Sequence, residues 1–564
     1  MQNAAAHGGR TRDGIVLAKL LGARPEYRGQ AKEIMGEIAD MVAEINGMSA
    51  EQQGAALAEY QDAAKPGPGD AAGDAPTDAG YSTGQALPPL EGAQDGGVVT
   101  RFPPEPSGYP HIGHAKAAII NEWYVDRYGG KKILRMDDTN PEGERLEYYA
   151  AIKVGLEWLG IRYDVIKNTS DDMGLLYAKG AEMIRTNHAY VCTCKRDEIS
   201  RNRQRKAPCR CSRAEPGKNH DMWERMFEKY KPGEAVARYR GDMGSENTVM
   251  RDPIIFRIID ARHPLTLDRY RVWPGYDFAV AIEDSSDGVT HAFRTKEYEL
   301  RDQLYCSILD DLGMRKPVLL EFARLEFEGM PVSKRILRPL IEEQKVAWYD
   351  DPRLPTLEAM RRRGIRPEAI RRFILSLGFT KSNTLAPFGA LEAFNRKAVD
   401  ATSIRLHMAR RPTELAVGGM PASPVRLANH PSADLGSRML ATDDTVLISG
   451  DDAESLAPGD CIRLMGLGNV RITSEGRLTG EYSGDEMKGY PIVQWVPRRV
   501  AHKINLIITN RLFVDGKFNE DSLVVEEVAV EPHYLELADD TEIQFVRFGY
   551  CRKESGYRAI MTHR

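Results

Sequence analysis

The chain has 564 residues, 42% of them apolar and 28% charged; at about 150 residues per domain this makes roughly three to five domains and excludes wholesale disorder. A net charge of −5 excludes a chain that is basic throughout. No apolar run reaches the roughly 18 residues of a membrane span and the first residues lack the apolar centre of a signal peptide, so the sequence reads as cytoplasmic.

In chain order, Ile34, Ile38, Met41, Val42 and Ile45 recur at helical spacing and predict a small helical module over residues 1–61. Residues 62–97, rich in Ala, Gly, Pro and Asp, hold one lysine against six acids and predict an acidic flexible linker. A strand over 98–102, a Pro-rich turn, a helix over 115–128 closed by Gly129 and Gly130, and a strand over 132–136 form a βαβ unit. Such a unit demands a parallel sheet, with ligands at the carboxyl ends of its strands. Residues 191–252 break the rhythm and read as an insertion, so that the sheet domain occupies 98–190 and 253–345, its strands resuming at 254–259 and 318–327. Helices follow over 346–410. From 411 to 564, short β segments punctuated by Gly, Pro and Asp predict one or two closed barrels.

Two basic clusters stand out, eight basic residues against two acidic over 195–213 and seven against two over 353–372. Each offers a positive surface to a polyanion or is a solvated helix face. Cys192-Thr-Cys194 and Cys209-Arg-Cys211, fourteen residues apart, suit a tetrahedral zinc site of four thiolates, with His220 as a substitute ligand. The eight basic neighbours equally suit reactive thiolates.

The strongest signal is Arg101-Phe-Pro-Pro-Glu-Pro-Ser-Gly-Tyr-Pro-His-Ile-Gly-His114, with two histidines where a strand turns into a helix. Helix N-termini bind phosphates through free N–H groups, and His111 and His114 can donate to oxygens gaining charge in a transition state. This segment resembles the His-Ile-Gly-His signature of class I aminoacyl-tRNA synthetases, in the longer form of the glutamyl/glutaminyl branch. Arg135-Met-Asp137-Asp138-Thr139-Asn140-Pro141, Tyr276-Asp-Phe, Gly288-Val-Thr-His291-Ala-Phe-Arg294-Thr295 and Arg324-Leu325 are similar to further motifs of that branch, in order. Pro331-Val332-Ser333-Lys334-Arg335 resembles the Lys-Met-Ser-Lys-Ser loop in its Ser-Lys-Arg form, with Pro331-Val332 in place of the first Lys-Met.

The resemblance implies a Rossmann-like, doubly wound parallel α/β catalytic domain with an inserted acceptor-binding domain, a helical domain and C-terminal antiparallel anticodon-binding β-barrels. It implies ATP and Mg²⁺, and His111, His114 and Lys334 as catalytic groups. Glu105, Pro106, Gly113, Lys116, Thr295, Arg324, Leu325, Val332 and Ser333 would complete the ATP site. Arg101, Asp137, Tyr276 and Arg294 would bind the amino acid. Lys334, on a Gly329-hinged loop, is a mobile charge that can follow the β and γ phosphates. An arginine at position 294 resembles the archaeal and eukaryotic glutamyl type, since choosing a carboxylate over an amide needs a fixed cation. The implied partners are L-glutamate and tRNA-Glu, with tRNA-Gln charged too in relatives of this type; the sequence does not fix the oligomeric state, and a monomer is favoured. A glutaminyl enzyme would share every motif but carry a small uncharged residue at 294; an inactive tRNA-binding scaffold would have no use for His111, His114 and Lys334.

Overall fold

The structure is a computed structural model that describes residues 31–49, 87–474 and 477–564, with Thr11, Val16 and Gln52 besides. Of the N-terminal module it describes helix α1 (Ala31–Gly47), which buries Ile38 and Val42 and exposes Met41 by half. Thr11 and Asn46 exchange two hydrogen bonds, at 2.8 and 2.9 Å. The rest of that module, and residues 62–86 of the expected linker, lie outside the described residues.

Residues 87–97 are not linker. Leu87 and Leu90 are buried in one apolar cluster with Val98, Tyr124 and Phe293, and Tyr124 Oη donates to the Pro88 carbonyl at 2.9 Å. Two large apolar side chains are enough to anchor this short segment, and averaging over 62–97 hid them.

Strands β1 (Val98–Phe102), β2 (Gly130–Met136) and β3 (Val165–Asn168) pair in parallel, with α2 (Ile112–Tyr128) and α3 (Leu146–Trp158) as crossovers. A second parallel pair, β8 (His291–Thr295) and β9 (Val318–Phe322), joins β1 through Thr290, whose amide donates to Val99 O at 2.9 Å and whose Oγ1 accepts from the Val99 amide at 2.8 Å. The order β3-β2-β1-β8-β9 makes a doubly wound parallel α/β sheet, in which β1 is central and its carboxyl end opens at the point where the order reverses.

Between β3 and β8 stand α4 (Met173–Arg185), β4 (Ala189–Cys192), α5 (Arg196–Gln204), α6 (Pro216–Glu228), β5 (Val236–Tyr239), β6 (Ile254–Ile258), β7 (Val272–Pro274) and α7 (Tyr276–Ser286). The strand expected to resume the parallel sheet at 254 instead belongs to the antiparallel sheet β4-β5-β6-β7. The inserted sheet therefore runs to Pro274, and the boundary expected after 252 cuts through it. A short apolar strand reads alike in either sheet. The expected strand 318–327 is also two: β9 ends at Phe322, and β10 (Leu325–Phe327) pairs with β11 (Thr384–Ala386).

Helices α8 (Asp302–Asp311), α9 (Lys334–Glu342), α10 (Leu357–Arg363), α11 (Pro367–Ser376) and α12 (Phe388–Val399) complete this part. The Arg-rich stretch over α10 and α11 is mostly neither a solvated face nor a free positive surface. Arg353 is buried against Asp351, Arg362 pairs with Glu554, Arg363 with Glu392, Arg366 with Glu542 and Arg371 with Glu122. Those arginines tie the helices to one another and to the C-terminal strands, and Arg361 and Arg372 remain exposed.

The C-terminal part begins at Ile404 and forms two seven-stranded, largely antiparallel, barrel-like sheets. Each is brought round by one kinked strand. Ile404–Leu406 and Met408–Arg410, on either side of His407, form the two edges of one sheet; Ile492–Val493 and Val496–Pro497 form the edges of the other. Closure removes unpaired edges. The kinks meet: His407 Nδ1 donates to Trp495 O at 3.1 Å and Met408 N to Gln494 Oε1 at 3.2 Å. Among the described residues no helix is long and apolar enough to cross a membrane.

Candidate active site

The Pro-rich turn after β1 leads into the N-terminus of α2, and the histidines sit there for a local reason. His111 is the N-cap: its Nδ1 accepts from the Gly113 amide at 3.1 Å, while His114 Nδ1 accepts from the His111 amide at 3.1 Å. With both Nδ1 atoms accepting backbone N–H groups, each neutral ring must carry its proton on Nε2. Burial, the neighbouring His114 and Lys334 hold His111 well below the usual imidazole range, and burial with Lys334 brings His114 down to about 4. The pair is thus two neutral Nε2–H donors, their ring centroids 4.0 Å apart. Gly113 serves this cap, because a Cβ there would lie 2.9 Å from His111 Cε1.

A cavity of about 640 Å³ opens at this turn. Every expected ATP and amino-acid residue lines it except Pro106, which is buried in the turn and accepts from the Arg145 amide at 3.3 Å. Lys334, the first residue of α9, reaches back across the opening: its Nζ donates to Ser107 Oγ and stands 3.9 Å from Glu105 Oε2, and its stem lies over Gly108. A lysine in the first turn of a helix is opposed by the helix dipole, so an anion arriving there relieves an existing repulsion. Ser333 and half-buried Val332 precede it on the cavity wall, and Arg324, beside Leu325 and paired with Glu297 at 3.1 Å, lies on the same side. Lys116 is fully buried; its ammonium donates to Ala323 O at 2.7 Å, and burial lowers its pKa to about 8. That carbonyl stands where β9 breaks from β10.

Gly329 is a glycine for a reason other than a free hinge. Its φ is +69° and a Cβ would lie 2.5 Å from the backbone oxygen of Phe513, whose amide donates to Gly329 O at 3.0 Å. A hairpin of the C-terminal sheets therefore grips the segment before Lys334.

On the other side of the cavity the arginines are locked from behind. Asp284 of α7 receives Arg101 Nε at 2.9 Å, Arg135 Nη2 at 2.6 Å and Tyr305 Oη at 3.0 Å. Arg101 Nη1 donates to Phe293 O at 2.8 Å, which leaves Nη2 buried without a partner. Arg294, at the end of β8, gives Nη1 to Asp302 at 2.6 Å, and its guanidinium carbon lies 5.1 and 5.2 Å from the rings of Tyr298 and Tyr305. Its Nε and Nη2 are buried and unpartnered. These two N–H groups form the parallel edge of the guanidinium that matches a carboxylate bidentately. Thr295 follows on the wall, and Tyr276 packs on Tyr298 at 4.9 Å. Asp137, whose amide is pinned to Pro104 O at 3.0 Å, also lines the cavity; burial and Glu283 push its pKa well up.

Tyr298 and Arg257 also line the cavity and were not singled out from the sequence. The readable signal for Tyr298 was its place four residues beyond Arg294, with Tyr305 seven further on. Arg257 sits on β6, a strand of the antiparallel inserted sheet and not of the parallel one.

The four cysteines converge. Their Sγ atoms all lie within 4.8 Å of one another, with Cys192–Cys209 and Cys194–Cys211 each 3.8 Å. A tetrahedron of 2.3 Å Zn–S bonds has edges of about 3.8 Å, so this donor set fits zinc. His220 is exposed on α6 and is not among the clustered ligands. In the basic cluster around them Lys195, Arg196, Arg201, Arg205, Arg210 and Arg213 are exposed, whereas Arg203 turns inward to the carbonyls of Thr248 and Arg251.

Two neutral Nε2–H donors at a helix N-terminus, a lysine over the opening and an arginine with two free N–H groups thus line one cavity. The family described as tRNA synthetases class I (E and Q), catalytic domain, matches residues 97–401, and its two anti-codon binding domains match 403–483 and 492–554. The chain belongs to this family. It is 61% identical to the glutamate–tRNA ligase of Cenarchaeum symbiosum (strain A) over 565 residues, covering 100% of this chain and 98% of the relative. It is 57% identical to that of Nitrosopumilus maritimus (strain SCM1), covering 100% and 98%. A solved glutamate tRNA ligase from Elizabethkingia meningosepticum is 18% identical, with a TM-score of 0.41 over 54% of this chain and 70% of that one.

Proposed function

We infer that the chain joins L-glutamate to tRNA-Glu in two steps. In the first, an oxygen of the glutamate α-carboxylate bonds to the α-phosphorus of ATP while the bond to the β-phosphate oxygen breaks, giving glutamyl-adenylate and pyrophosphate. In the second, the 2′-hydroxyl of the terminal adenosine bonds to the carbonyl carbon and AMP leaves. The chemistry is mostly positioning and charge stabilisation. His111 and His114 hold phosphate oxygens through Nε2–H, Lys334 follows the departing pyrophosphate, and Arg324 and Leu325 border the adenine with Thr295, Val332 and Ser333 around the nucleotide. Mg²⁺ would enter with the nucleotide and neutralise its phosphates. Asp137 and Tyr276 take the α-amino end, and Arg294 with Arg101 the acidic end. Zn²⁺ held by the four thiolates would brace the insertion, whose exposed basic face suits the tRNA acceptor end, and the barrels suit unstacked anticodon bases.

The observation that carries the choice of glutamate is the unpaired Nε and Nη2 edge of Arg294, buried on the cavity that Arg101, with its own unpaired Nη2, also lines. Aminoacylation of purified tRNA-Glu and tRNA-Gln with both amino acids tests it: glutamate is expected on tRNA-Glu, charging of tRNA-Gln with glutamate is read in the same assay, and a preference for glutamine would overturn the reading. Lys334→Ala is expected to slow ATP/pyrophosphate exchange by well over tenfold while leaving tRNA affinity within about threefold; equal losses would contradict its role.

A further inference from the structure

Beside Asp137 lies a buried polar cluster that neither step uses. Asp138 is fully buried, its carboxylate accepting from Tyr149 Oη at 2.8 Å, Ser170 Oγ at 2.7 Å and the Ser170 amide at 2.7 Å. Its backbone carbonyl faces His263 Nε2 at 3.2 Å. Glu144, also buried, takes the Asn140 amide on Oε1 at 2.6 Å and sets Oε2 2.9 Å from the same Nε2. His263 does not belong to this loop. It stands on the connection between β6 and β7 of the insertion, fully buried, stacked on Trp273 at 5.1 Å.

The tautomer is determined twice over. His263 Nδ1 accepts from the amides of Leu265 and Thr266 at 3.2 and 3.1 Å, and a carbonyl opposite Nε2 can only accept. The single Nε2–H therefore points at the turn running from Asp138 to Glu144. That turn begins next to Asp137 and contains Thr139 and Asn140, and all three line the cavity. It is held by Tyr149 and Ser170 on one side and by His263 on the other, so this stretch of the cavity wall is set by two domains at once.

We propose that His263 is a positioning residue for amino-acid binding: through Nε2–H it fixes the Asp138–Glu144 turn from the insertion, and so sets the place of Asp137. The alternative is a buried histidine that only stabilises the insertion. A structural role lowers stability and weakens both substrates together, whereas a positioning role acts on the amino acid, because the nucleotide groups His111, His114 and Lys334 belong to α2 and α9.

The inference rests on the reading of Asp137 as a glutamate contact, so Asp137→Ala serves as reference. His263→Asn keeps an acceptor where Nδ1 stands and loses the reach of Nε2, while His263→Gln places an amide N–H at that reach. In ATP/pyrophosphate exchange with the full chain and tRNA, His263→Asn is expected to raise the KM for glutamate at least tenfold with the KM for ATP within twofold. His263→Gln is expected to bring the glutamate KM back to within threefold of the parent. If Asp137→Ala raises the glutamate KM and His263→Asn does not, the proposal is wrong and the Asp137 reading stands. If Asp137→Ala leaves that KM unchanged, both are wrong. Parallel rises in both KM values with no rescue by glutamine, or failure of His263→Asn and His263→Gln alike to fold, assigns the histidine to stability and overturns the proposal.

Discussion

At the scale of single residues, Arg294 carries a contrast the cavity can express in binding energy. A charged hydrogen bond is worth about 1.5–3 kcal/mol, and two are available on its free edge, so Arg294→Gln is expected to lower kcat/KM for glutamate by at least 100-fold, about 3 kcal/mol. The fold should survive, because Asp302, left behind, is already pushed up to about 7 by burial and Glu321 and can keep a proton. Kinetics with glutamate and glutamine side by side check this, and a loss below threefold would remove Arg294 from selection. The residues of this site were legible in the sequence because each motif is short and carries its own chemistry. What stayed hidden were partners brought by the fold: the lock of Asp284 on Arg101 and Arg135, and Tyr298 and Tyr305 around Arg294. Asp284 stands 183 and 149 residues from its two arginines, a separation no local pattern announces.

At the scale of elements, the start of α2 shows how a motif can be right in its letters and incomplete in its physics. The resemblance puts Gly113 in the ATP site, yet its first effect is to let the His111 ring fold back as a cap. A methyl group in Gly113→Ala would stand 2.9 Å from His111 Cε1 and 3.1 Å from Nδ1, so the ring must swing and the cap is lost, at a cost of about 1 kcal/mol in stability. The larger effect falls on chemistry, because Nε2 moves with the ring. ATP/pyrophosphate exchange by Gly113→Ala is expected to fall about tenfold or more while the KM for glutamate is unchanged; a parent-like rate would show that the orientation of the ring is not what the glycine serves. Elements with both periodicity and a closing signal, such as α2 with Gly129 and Gly130, were readable. Strand β6 was not, since five apolar-rich residues fit a parallel or an antiparallel sheet equally, and only long-range pairing with β5 and β7 decides. The arginines of α10 and α11 differ from expectation for the same reason: the acids of Arg362 and Arg366, Glu554 and Glu542, stand 192 and 176 residues away.

At the scale of the whole molecule, the C-terminal sheets reach the catalytic side directly. A hairpin of Phe513–Val514 and Lys517–Phe518 projects from them, and Leu512 at its base is fully buried with Leu337 and Leu340 of α9, the helix that begins with Lys334. The same hairpin grips Gly329. Placement of the lysine thus depends on a segment about 180 residues further along the chain, which no local pattern announces. Leu512→Ala removes a buried leucine at about 2–5 kcal/mol, and the loss falls on the hairpin–α9 contact. It is expected to slow ATP/pyrophosphate exchange about tenfold with tRNA affinity unchanged. Leu415→Ala is the matched control: it opens a comparable cavity, since Leu415 is fully buried in the core of the other barrel-like sheet, and that core touches none of α9. If the hairpin holds Lys334 in place, the two substitutions cost similar stability and only Leu512→Ala slows adenylate formation. Equal slowing by both would mean that the C-terminal part supports catalysis only by being folded.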